Sequence, residues 1–203
     1  MTQWPGWAVK LWLVPFEEIH PDWWRPQWPG SVDVTPARHA RASLRGWVLT
    51  QQGLASDGTP GEALDHPALQ IAAAGCARLN RLAPVLGAAL QACRLRTVVR
   101  GAELRQVQAA WGEPLYAQAR RAALRCPQAI DLDHDLAPED VGNPGRRGAD
   151  LLRWIFGDLV AAWRQRCLLR LPAPAAASAV AAPAALLALA RWVEHDVLTL
   201  VEP

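Results

Sequence analysis

A mainly α-helical, single compact domain of about seven helices accounts for the pattern of this chain, and three observations carry that reading. Apolar residues recur at three- and four-residue steps in segment after segment, as one face of a helix requires. Proline and glycine gather at the seams between those segments. Strand-like texture is confined to at most a small β element, which pairs residues 11–14 with 168–171. With 203 residues, the chain can bury about 70% of its unfolded surface, so it needs neither disulfide nor metal to hold a core.

Residues 1–34 form a Trp/Pro-rich segment with six of the eleven tryptophans: Trp4, Trp7, Trp12, Trp23, Trp24 and Trp28. Pro5, Pro15, Pro21, Pro26 and Pro29 interleave them and forbid a long helix. Lys10 to Val14 reads as a short strand ending at Pro15. Clustered tryptophans can stack on sugars or capture proline-rich partners. Burying one, however, removes about 200 Å² from water, and six left exposed invite aggregation, so a satellite core is favoured.

Thr35 as N-cap and Pro36 at the first helical position open a helix to about Gln52, with Leu44, Trp47 and Val48 inward. Gly53 to Gly61 reads as a loop. From Pro67, Leu69, Ala72, Cys76 and Leu79 keep helical spacing until Pro84, where a second helix starts and runs to about Val99, presenting Leu86, Leu90, Cys93 and Thr97. Gly101 and the 112–114 turn set off two short helices, 102–111 and 114–125. An acidic and glycine-containing loop occupies 127–147. A long helix follows from about Ala149, with Leu152, Phe156, Leu159, Trp163 and Cys167 on one face, before Leu169-Arg170-Leu171 alternates as a strand does. A Pro/Ala linker, 172–183, leads to a last helix at 184–201 that turns Leu186, Leu189, Val193, Val197 and Leu200 to one side.

Composition narrows the function. Every basic residue except Lys10 is arginine, a skew that reads as the codon bias of a GC-rich genome. The net charge of +2 is too small to steer polyanions strongly, so no nucleic-acid partner is expected. The first residues lack the basic and long apolar stretches of a secretory signal. Leu171 to Ala190 carries no charge, but its alanines and Pro172, Pro174 and Pro183 argue against membrane insertion. Cys76, Cys93, Cys126 and Cys167 are widely spaced, with no C-x-x-C pair, and suit a reducing compartment.

No catalytic constellation stands out. Asp131, Asp133 and Asp135 imitate the first half of a calcium loop, but Leu136 and Gly142 stand where that loop needs Gly and a bidentate Glu. A solvated acidic stretch, completed by Glu139 and Asp140, is the better reading. The turn 142–148, with Arg146 and Arg147, precedes a helix and could greet a phosphate, which makes a small phosphate- or nucleotide-binding enzyme the alternative function. Its spacing matches neither a Walker A loop nor a dinucleotide fingerprint, so a flexible lead-in to the helix is preferred. His20-Pro21 and His66-Pro67 look like turn and helix-start positions.

Three stretches carry a family resemblance: WLVPFEEIHPDWW (Trp12 to Trp24), LRTVVRGAELRQVQAAWGEPLYAQARR (Leu95 to Arg121) and GADLLRWIFGDLVAAWRQRCLLRLP (Gly148 to Pro172). In this order, with a variable linker and a last helix, the chain resembles the SctK/YscK/PscK proteins of bacterial type III secretion. The resemblance implies a non-enzymatic cytoplasmic adaptor of the sorting platform, peripheral at the inner-membrane base of the apparatus. Its implied partners are the SctD-type inner-membrane ring protein and the SctQ-type pod protein, and it implies no cofactor. No short motif transfers partner contacts, so the residues themselves nominate the charged set Asp131, Asp133, Asp135, Glu139, Asp140, Arg146 and Arg147.

Overall fold

The computed structural model describes residues 4–28, 36–54, 64–95, 101–127, 143–174 and 186–201. Among them there are helices and turns and no strand. In chain order the α-helices are α1 (Gly6–Leu13), α2 (Arg38–Gln51), α3 (Pro67–Ala73), α4 (Cys76–Leu95), α5 (Gly101–Trp111), α6 (Glu113–Ala123), α7 (Pro144–Gly157), α8 (Ala161–Leu168) and α9 (Leu186–Trp192). Three single 3-10 turns, Phe16–Glu18, Pro21–Trp23 and Arg25–Gln27, follow α1. Prolines at the starts of these turns and in the first turns of α3, α6 and α7 sit where a helix has no N–H partner to lose.

Helix α4 is the axis of the fold, flanked by α7 and α6. A Cβ added at Gly87 would lie 2.0 Å from the Pro144 carbonyl oxygen, and one at Gly148 would lie 1.7 Å from that of Ala83. The two backbones therefore touch where α4 and α7 cross, and only glycine fits. Around that crossing Leu79, Leu82, Leu86, Leu90, Leu152 and Phe156 make the main core. Ala88 and Ala92 of α4 meet Val107, Trp111, Ala119 and Ala123 in a second cluster that seats α5 and α6. A third, smaller cluster gathers Val14, Ile19, Trp24, Leu44, Val48 and Leu169.

Most residues of the helical faces read from spacing are buried, with Cys93, Leu186 and Leu200 half-buried, while several boundaries differ. Leu152, Phe156, Leu159, Trp163 and Cys167 are all buried, but the helix that carries them is two. Gly157 and Asp158, both poor helix formers, end α7, and Val160 is extended at ψ 147° before α8 begins. Leu159 is tucked inward by the turn.

Likewise the break expected at Pro84 falls at Gly75, whose φ of +85° ends α3's turn. Pro84 is interior to α4. The N–H of Cys76, the first residue of α4, donates to Glu18 Oε2 at 2.9 Å, so a carboxylate from far upstream caps this helix.

The small β element is corrected outright. Leu11 lies in α1, and Val14 turns the chain with φ +43°. Residues 168–171 are the end of α8 and a tight turn, in which Arg170 and Leu171 N–H donate to the carbonyls of Cys167 and Leu168. A short apolar run looks the same in a buried helix as in a buried strand. The two segments do meet, as side chains and not as strands, with Val14 and Leu169 in the same buried cluster.

Trp47 is exposed, not inward. The last helix is α only to Trp192, then widens through a π turn at Val193–Val197 into a 3-10 turn at Leu198–Leu200. Thr35, Thr97 and most of the Pro/Ala linker lie outside the described residues.

Candidate partner-binding surface

The described part of the Trp/Pro segment, residues 4–28, packs onto the core. None of its six tryptophans is classed as exposed, and Trp24 is buried. Trp12 meets Trp163 edge-on with ring centroids 5.0 Å apart, and Trp4 leans on both. The Arg166 guanidinium stacks 3.7 Å from the Trp12 ring centroid, a cation–π contact made in partial burial, where such contacts strengthen. Trp23 Nε1 donates to the Leu171 carbonyl at 2.8 Å, and His20 N–H donates to that of Leu169 at 2.8 Å.

Beneath this segment lies a buried charge node. Arg170 is 1% exposed. Its Nη1 donates to the Ala72 carbonyl at 2.8 Å and reaches Glu18 Oε2 at 3.2 Å, while Lys10 Nζ meets Glu18 Oε1 at 2.7 Å. Burial alone would push the Glu18 carboxyl up. The Lys10 bond, the Arg170 charge and the Cys76 N–H outweigh it and hold the carboxyl below its ordinary value. Burial, helped by the Glu18 charge, pushes the Cys76 thiol up to about 11, and burial pushes Cys167 to about 12. Both thiols are therefore neutral near pH 7, the opposite of an activated nucleophile. The node ties the N-terminal segment, the α3–α4 turn and the end of α8 into one body.

Of the charged residues nominated from sequence, Asp131, Asp133, Asp135, Glu139 and Asp140 lie outside the described residues. Arg146 and Arg147 fall in the first turn of α7, Arg146 exposed and Arg147 half-buried. The Arg146 amide already donates to Asn143 Oδ1 at 3.1 Å, so the helix start is capped by its own asparagine. Gly148 is there for the crossing with α4 and Gly145 abuts Pro84. Gly145 and Gly148 of the turn thus have a packing role, while Gly142 lies outside the described residues. His20 and His66 accept at Nδ1 from the N–H two residues on, at the turn and helix starts expected of them. Among the described residues no three metal-ligating side chains converge, and no helix is long and apolar enough to cross a membrane.

A surface not singled out from sequence is the outer face of α6. Glu113, Tyr116, Ala117, Arg120, Arg121 and Leu124 line a shallow concavity of about 270 Å³. Their spacing is one helical stripe, and Leu124 is 74% exposed. The signal was present in the sequence, hidden by the ordinary look of a solvated arginine pair.

The described residues thus pack as one helical body around α4. A sequence model of the family described as "YOP proteins translocation protein K (YscK)" matches residues 7–195, and the chain belongs to that family. It is a type III secretion family. No curated protein and no solved structure matches the chain.

Proposed function

We propose that the protein is a non-enzymatic cytoplasmic adaptor of the type III sorting platform, joining the SctD-type inner-membrane ring protein to the SctQ-type pod protein for effector secretion. The observation that carries this reading is the family match over residues 7–195, which spans nearly the whole folded body rather than one motif within it. An adaptor transmits position, and a body tied at its charge node and at its glycine crossing supports that task. The acidic stretch 131–140 with Arg146 and Arg147 supplies charges of both signs for register with partners. The test is co-purification from cells that contain the SctD- and SctQ-type proteins. Recovery of both supports the adaptor, and recovery of neither sinks it.

A further inference from the structure

Helix α6 has two unlike faces. Ala119, Ala122 and Ala123 are buried, and Trp192 Nε1 donates to the Ala122 carbonyl at 3.2 Å. Gln118 Nε2 reaches the Leu200 carbonyl at 3.2 Å, and Arg125 pairs with Asp196 at 3.0 Å. The helix is therefore clamped along its inner face and flank. Its outer face carries Tyr116, half-buried, with the Arg120 guanidinium 5.8 Å from the ring centroid. Beside it stand Arg121 and the exposed Leu124. Among the described residues, no carboxylate pairs with Arg120 or Arg121.

Two arginines at a helix C-terminus suit the helix dipole, but the dipole does not ask for Leu124 to stand in water beside them. Tyrosine and arginine around an apolar side chain, on a surface that needs no ordering before contact, make a good protein-binding patch. Charge complementarity sets the occupant. The basic end calls for carboxylates, and the shallow apolar floor calls for one anchoring side chain.

We propose that the outer face of α6 docks an acidic segment of a partner protein, with an apolar side chain on Leu124 and Tyr116 and carboxylates on Arg120 and Arg121. Only the partner's identity as the SctD- or SctQ-type protein rests on the adaptor reading. Glu113 at the far end of the stripe sets polarity, because the segment's carboxylates are repelled from that end and drawn to the other.

The test places a benzophenone amino acid at Leu124 of the full chain in cells with an intact apparatus, with the same probe at exposed Val160 as the comparison site. The expected result is an adduct at 124 that mass spectrometry maps to an Asp/Glu-containing segment of the SctD- or SctQ-type protein. R120E/R121E should cut its yield at least about tenfold, leaving the melt unchanged, and Arg→Lys at both positions should retain it. An adduct on an acidic segment of another protein, lost in R120E/R121E, keeps the docking face and overturns the adaptor's named partners. No adduct at 124 above that at 160, an adduct unaffected by R120E/R121E, or one on an uncharged segment overturns the proposal. So does an adduct on a second copy or on the chain's own 131–140 stretch. Anionic phospholipid vesicles binding the protein through the same arginines would also overturn it.

Discussion

Gly148 and Ala83 stand backbone to backbone, so close that a single methyl group at 148 would lie 1.7 Å from the Ala83 carbonyl oxygen. Nothing flexible is in the way that could yield. Gly148→Ala should therefore force α7 off α4 and cost at least about 3 kcal/mol, the upper range for overpacking. Urea denaturation measures it, and Gly46→Ala, with open space around its Cβ, should be neutral or slightly stabilising. A small loss at 148 would mean that the crossing is looser than described.

Trp163 is 1% exposed and touches both Trp4 and Trp12. Trp163→Ala should destabilise by about 3–5 kcal/mol. Its removal also strips the support from the Trp12 ring on which Arg166 rests. An equilibrium loss under about 1 kcal/mol would place this side chain at the surface.

Glu18→Gln breaks the charge node from the carboxylate side and leaves Arg170 buried beside a neutral amide, at a cost of about 3–5 kcal/mol. The wild type should show the matching pH dependence. The Glu18 carboxyl is held below its ordinary value in the fold, so its contribution is present above the unfolded-state value of about 4.3 and is lost as pH falls through the lower folded one. Urea midpoints taken from pH 7 downward should converge for the wild type and the variant only in that acid range. Convergence near neutrality would contradict the assignment.

Cys76 and Cys167 should resist a thiol reagent at pH 8 until the protein unfolds, because burial raises their thiols to about 11 and about 12. Mass mapping of the labelled cysteines, with and without denaturant, checks this. Fast labelling of either in the native protein would mean that the body opens at the α3–α4 turn or along α8.

Asp131→Asn, Asp133→Asn and Asp135→Asn together should leave the melting temperature nearly unchanged and weaken partner binding, most visibly at low salt. Binding measured against the SctD- and SctQ-type proteins decides it. Calcium-dependent stabilisation of the wild type would restore the metal reading set aside from sequence.

What the sequence spells clearly is the inward side of α3, α4, α7 and α8. The five-residue face from Leu152 to Cys167 survives a break in the helix because the 157–160 turn brings Leu159 back to the core. Its boundaries were harder to read. Pro84 looks like a stop and is not one, while Gly75 is a stop because Glu18, 58 residues before Cys76, supplies the cap. No local pattern marks Glu18 as buried or joins it to Arg170, since the pair exists only once three elements have met. The Leu11–Val14 and 168–171 segments failed for a different reason: four apolar residues are too few for periodicity to tell strand from helix. The α6 stripe was fully readable, but surface arginines are so common that spacing alone gives them no weight.

The clasp between the N-terminal segment and the end of α8 joins Trp12 to Arg166 across 154 positions and Trp23 to Leu171 across 148. During synthesis the tryptophans leave the ribosome well before their receptacle. At roughly 5–20 residues per second, the wait is on the order of 10 s. For that interval the tryptophan-rich part of the nascent chain stays wet and open to chaperones, and its burial waits for the end of α8. A transcript truncated before Leu171 would leave a polypeptide with its tryptophans permanently unhoused, which makes premature termination in this protein a solubility failure before it is a functional one.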